Sequence, residues 1–107
     1  MSDDASEFFV LPPFKAEEAL VKLRRDLREL KALADKGTGE VVRFDWRGLP
    51  VIELGVQTGD QPALAVSLAR KPSQRPDWVK RRLSSSAEAR KFVEDVKRSI
   101  KQWDEED

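Results

Sequence analysis

The side chains able to do chemistry in this chain are carboxylates, lysines, arginines and hydroxyls, because its 107 residues include no cysteine and no histidine. That composition excludes a thiolate nucleophile, a disulfide and a cysteine-ligated zinc, and it removes the commonest general base. Paired acids do occur, at Glu17–Glu18, Glu94–Asp95 and the run Asp104 to Asp107. Two carboxylates cleave a glycosidic bond only in a cleft, with one of them held at a raised pKa. Here the pairs fall on solvated helix faces or in an acidic tail. Gly37-Thr38-Gly39 is too short to cradle a phosphate and reads as a hinge. No nucleophile elbow, P-loop, dinucleotide fingerprint, zinc motif or calcium loop is present. The expectation is a protein that is not an enzyme and uses no cofactor and no metal.

Binding chemistry is better represented. Arg70, Lys71, Arg75, Lys80, Arg81 and Arg82 crowd one stretch with Asp77 as the acid among them, and Arg90 and Lys91 follow. Trp78 lies inside the stretch. An aromatic ring among cations is the combination that stacks a base while the cations hold phosphates. Against this, 20 basic residues balance 20 acidic ones, which is not the charge of a nucleic-acid binder as a whole. A charge run is ordinarily a solvated face. Nucleic acid therefore stands as the alternative partner, with Asp104 to Asp107 available to cover the basic tract in the free protein.

The elements that position these residues follow from hydrophobic spacing. Leu20, Leu23, Leu27, Leu30 and Leu33/Ala34 recur at three and four, which predicts one amphipathic helix from about 13 or 14 to 36. Glu17 and Glu18 near its start and Lys36 at its end suit the helix dipole, and Gly37 suits the C′ position. Alternation then takes over. Val42, Phe44 and Trp46, Ile52, Leu54 and Val56, and Leu64, Val66 and Leu68 predict strands over about 40–46, 51–57 and 62–70. The turns between them, at Arg47 to Pro50 and Thr58 to Gln61, are short enough to demand antiparallel pairing. Pro76 at a first turn predicts a short helix over 76–83. Ser85 and Glu88 have capping-box spacing, so a last helix starts near Ser86. Its stripe is Ala89, Val93, Val96, Ile100 and Trp103. Surface pairs are expected between Asp26 and Lys22, and between Glu94 and Arg90, Lys91 or Arg98.

The fold expected is therefore two-layer α+β, in the order α-β-β-β-α, with a three-stranded antiparallel meander and both helices on one sheet face. Apolar residues at 39% and charged residues at 37% supply one core and a heavily charged surface. A single domain spans 8–103, flanked by disordered acidic tails at 1–7 and 104–107. Phe8-Phe9-Val10-Leu11 is expected to lie extended against the core, as an edge strand. The start lacks the positive region of a signal peptide, and no apolar run approaches the ~20 residues of a membrane span, so a cytoplasmic location is expected. The sheet face turned away from the helices carries Val41, Val51, Ala63, Ala65, Ser67 and Ala69, small or weakly polar residues suited to a protein partner or a second copy.

The order of elements over 14–103 resembles the double-stranded-RNA-binding domain. That resemblance implies RNA contacts from the end of the first helix, the loop between strands one and two, and the start of the last helix. Here the loop is Arg47-Gly48-Leu49-Pro50, without histidine, and the last helix offers Arg90 and Lys91. The run Phe44-Asp45-Trp46-Arg47-Gly48-Leu49-Pro50-Val51-Ile52-Glu53-Leu54-Gly55 is similar to short hypothetical proteins of β-proteobacteria such as Burkholderia, which imply no activity.

Overall fold

The computed structural model describes residues 14–37, 41–59 and 61–106. Among these, two helices and five strands follow in the order α1 (Ala16–Arg28), β1 (Leu33–Asp35), β2 (Val42–Trp46), β3 (Leu49–Gln57), β4 (Ala63–Ala69), β5 (Trp78–Leu83) and α2 (Ser86–Glu106). The strands form one antiparallel sheet in chain order, β1-β2-β3-β4-β5. The class is α+β, with two strands more than the spacing predicts and two more than the likeness to the double-stranded-RNA-binding domain implies.

Both additional strands replace expected helix. α1 stops at Arg28, and Leu33-Ala34-Asp35 pairs with Trp46, Asp45 and Phe44. The leucine stripe therefore serves two elements: Leu23 and Leu27 enter the core from the helix, and Leu33 enters it from the strand. Gly37 is consequently not a helix C′ residue. It lies beyond β1, where a Cβ would stand 2.8 Å from Val42 Cα, so the backbone approach there admits no side chain. Trp78–Leu83 is likewise a strand and not the short helix that Pro76 suggests. The segment Phe8 to Leu11 and the 1–7 tail lie outside the described residues.

The β2–β3 hairpin turns on Arg47 and Gly48, with φ of 53° and 83°. Positive φ at both central residues is the primed turn that matches strand twist, and glycine makes the second position cheap. The β2–β3 register shifts between Phe44 and Asp45, where Ile52 faces Phe44 and Pro50 faces Asp45. This bulge leaves Val51 as an extra residue, and Val51 and Ile52 are both fully buried. The bulge also accommodates Pro50 within a strand.

One core joins the layers. Leu23 and Leu27 of α1 and Phe92, Val96 and Trp103 of α2 pack against Phe44, Trp46, Ile52, Leu54, Leu64 and Val66. Val56 and Leu68 of the expected inward set are half-buried at its margin. The helices touch each other and the same sheet face: Trp46 and Trp103 rings lie 5.7 Å apart, and Arg81 stacks over Phe92 at 5.3 Å. At the start of α2, Ser85 Oγ accepts the Glu88 N–H at 3.1 Å, as the capping spacing predicts. The Glu88 carboxylate reaches one residue further back, to the N–H and hydroxyl of Ser84. Those bonds, the backbone one first, hold its pKa below the usual glutamate value. α2 continues through Glu106, so Asp104 to Glu106 are helical rather than a free tail. No helix among the described residues is long and apolar enough to cross a membrane.

Candidate interaction surface

Pairing register arranges the sheet face opposite the helices into rows. Arg43, Glu53, Ser67 and Lys80 stand side by side across β2 to β5. Gly55, Ala65 and Arg82 form the next row, and Ala69 beside Trp78 begins another. The centre of this face is therefore small residues, and its border is long charged side chains and one half-buried indole. Among the described residues, neither helix packs on this side. Asp45 lies on the same face and is buried, with Arg43 Nε 3.1 Å from its Oδ1. That contact has ion-pair distance without hydrogen-bond alignment, and the oxygen has no hydrogen-bond partner.

The residues expected to form a protein interface separate on this frame. Ala65 and Val41 are exposed and Ser67 is half-exposed. Ala63 and Ala69 are buried. Val51 is fully buried at the β2–β3 bulge and so offers no surface to a partner.

The basic tract also separates. Alternation along β5 sends Trp78, Lys80 and Arg82 to the outer face and Arg81 to the helix side. Arg81 Nη1 bonds Asp95 Oδ2 at 2.8 Å, and this bond holds the Asp95 carboxyl below the usual range. Arg82 Nη2 donates to the Gln61 carbonyl at 2.7 Å. Arg70 pairs with Asp77 at 3.1 Å in the β4–β5 loop, where Lys71 and Arg75 are exposed. Arg90 and Lys91 sit on the far layer, along an open groove between α1 and α2 that also presents Asp26, Glu29 and Glu94. Eight cations close in sequence are thus not one patch in space.

Other expected pairings shift as well. Glu94 pairs with Lys97 at 3.2 Å, and Arg98 pairs with Asp95 at 3.2 Å. Asp104 reaches Arg47 Nη2 at 2.7 Å and not the basic tract. Arg47 also stacks over Trp46 at 4.3 Å, closing the hairpin end against α2. The residues missed by sequence reasoning are Arg43 and Glu53, whose row exists only through strand pairing. The Asp35 site, where Arg24 and Arg28 converge, is a second omission, since a helical Asp35 would never meet them. No group of acids suited to a metal ion occurs among the described residues.

Comparison with protein-family models, with curated proteins and with solved structures finds no match to this chain.

Proposed function

We propose that this protein is a non-catalytic interaction module that binds another protein through the outer sheet face and its β5 margin. The observation carrying this reading is the mixed-sign, small-centred face made by Arg43, Glu53, Ser67 and Lys80 in one row and by Gly55, Ala65 and Arg82 in the next. Alternating charge sign around small residues suits a polypeptide surface, which offers both signs and side chains to fill the centre. Ala65→Arg or Ser67→Arg fills that centre without touching the core. Either variant is expected to retain the wild-type unfolding midpoint and to lose association, measured by sedimentation for self-association and by affinity capture for a partner. A wild-type chain that is strictly monomeric and retains no protein overturns the reading.

The second reading is nucleic-acid binding, favoured by Trp78, Lys80 and Arg82 sharing one face. It expects a salt-dependent change in tryptophan fluorescence on adding single-stranded RNA or DNA, lost in Trp78→Ala. An unchanged spectrum at low salt removes it.

A further inference from the structure

We propose that the outer edge of β5 receives an extended acidic peptide by strand addition, in the pattern acid-x-acid-x-aromatic antiparallel to β5. The inference rests on the interaction-module reading and names its partner's chemistry.

The hydrogen-bond phase of β5 supplies the first argument. The Arg70 N–H donates to the Asp77 carbonyl at 3.0 Å, just ahead of the Ala69–Trp78 pair. Directly opposed residues in an antiparallel ladder alternate between bonded and non-bonded pairs. Counting from Arg70–Asp77, the residues bonded to β4 are Val79, Arg81 and Leu83, opposite Leu68, Val66 and Leu64. Trp78, Lys80 and Arg82 therefore aim their N–H and C=O groups away from the sheet. Among the described residues no strand lies beyond β5. Unpaired edge groups of this kind are a template for an incoming strand.

Charge selects the occupant. The residues whose backbone groups face outward are also those whose side chains stand on the outer face. An incoming residue bonded to Lys80 or Arg82 places its own side chain directly beside that cation, and opposite charges at such positions attract. Lys80 makes no ion pair among the described residues. The position beside Trp78 suits an aromatic or apolar residue. The intervening peptide residues fall on the helix side next to Val79 and Arg81, where Arg81 is already held by Asp95. A second copy of β5 is a poor occupant, because the antiparallel registers that pair most of the strand set Lys80 against its own counterpart or against Arg82. A nucleic acid cannot continue the backbone ladder.

The test uses the full chain, isotope-labelled for amide NMR, and the capped peptide Thr-Glu-Val-Glu-Val-Phe-Thr. Saturable shifts are expected at Trp78, Lys80 and Arg82. Hydrogen exchange at these three amides is expected to slow by at least about tenfold at saturation. Val79 and Arg81, already bonded to β4, should change little. The peptide with lysine in place of glutamate should not bind. Lys80→Pro removes an outward N–H that β4 does not use, and is expected to abolish binding; Lys80→Glu with Arg82→Glu gives the same loss with the backbone intact. Absence of saturable shifts, equal binding of the lysine peptide, or Lys80 protection that rises with protein concentration alone overturns the inference. Slowing confined to side-chain signals with an oligouridylate also overturns it. Shifts confined to Gly55, Ala65 and Ser67 overturn the edge proposal while leaving the face reading standing.

Discussion

Asp35 and Arg24 are joined by a double hydrogen bond, Nε to Oδ2 at 2.7 Å and Nη2 to Oδ1 at 3.1 Å, that folds β1 back along α1. Arg28 Nε adds a third bond at 2.8 Å and the Gly37 N–H a fourth at 3.0 Å. Four donors on one largely covered carboxylate, the Arg24 side chain foremost, hold its pKa far below the usual aspartate range. Asp35→Asn keeps the shape and removes the charge, and is expected to lower stability by about 1.5–3 kcal/mol. Urea unfolding at neutral pH measures it.

The same site sets an acid dependence. A carboxyl whose folded pKa is depressed stabilises the fold fully above its unfolded pKa, and that contribution is lost as pH falls toward the folded value. Asp35 and Asp95 are both depressed by arginine hydrogen bonds. Unfolding midpoints are expected to be level from neutral pH to about 5 and to fall progressively below the ordinary aspartate value of about 3.9. In Asp35→Asn the fall should be shallower. Equal slopes in the two proteins would refute the assignment.

Gly37 and Gly55 make a contrasting pair. An added Cβ at Gly37 meets Val42 Cα at 2.8 Å, whereas at Gly55 it meets nothing within 4 Å. Gly37→Ala is expected to destabilise by more than about 1 kcal/mol, and Gly55→Ala to be neutral or stabilising by up to about 1 kcal/mol. Thermal melts of the two variants separate the close approach from a generic glycine effect.

Trp103 closes the core at the end of α2, tilted against Trp46 and donating its Nε1–H to the Arg70 carbonyl at 3.4 Å. Trp103→Ala is expected to cost about 3–5 kcal/mol through the cavity it leaves. Trp78→Ala, at a half-buried edge position, should cost clearly less. Denaturant unfolding followed by circular dichroism compares them without relying on tryptophan emission.

Ser85→Ala removes the oxygen that receives the Glu88 N–H and is expected to cost about 1 kcal/mol, read from the same unfolding curves. No change would mean that Ser84 alone secures the helix start.

Much of the fold is legible in the residue pattern. The alternating runs of β2, β3 and β4 and the capped start of α2 are local matters, since which face a side chain takes depends on the period of its own element. The same pattern misleads where one spacing serves two elements. Leu27, Leu30 and Leu33 keep helical intervals across a chain reversal, and no glycine or proline marks the break. Pairing with β2 and the arginine clamp on Asp35 make Leu33 part of a strand.

The candidate interaction surface is legible only in part, for the same reason. Alternation alone marks Ala65 and Ser67 as outward, but it cannot register the bulge at which Val51 is fully buried. In β5 the cations at Lys80, Arg81 and Arg82 hide an alternation with few apolar members, so Pro76 suggests a helix. A strand forms there because β4 offers a row of backbone partners. Amino-acid order by itself determined the element types with strong periodicity, the absence of thiol and imidazole chemistry, and the presence of a basic tract. Tertiary structure alone decided the sheet's extent, the splitting of that tract between two layers, and which backbone groups remain at the edge. Those are properties of pairing between distant segments, and hydrogen-bond partners far apart in sequence leave no local mark.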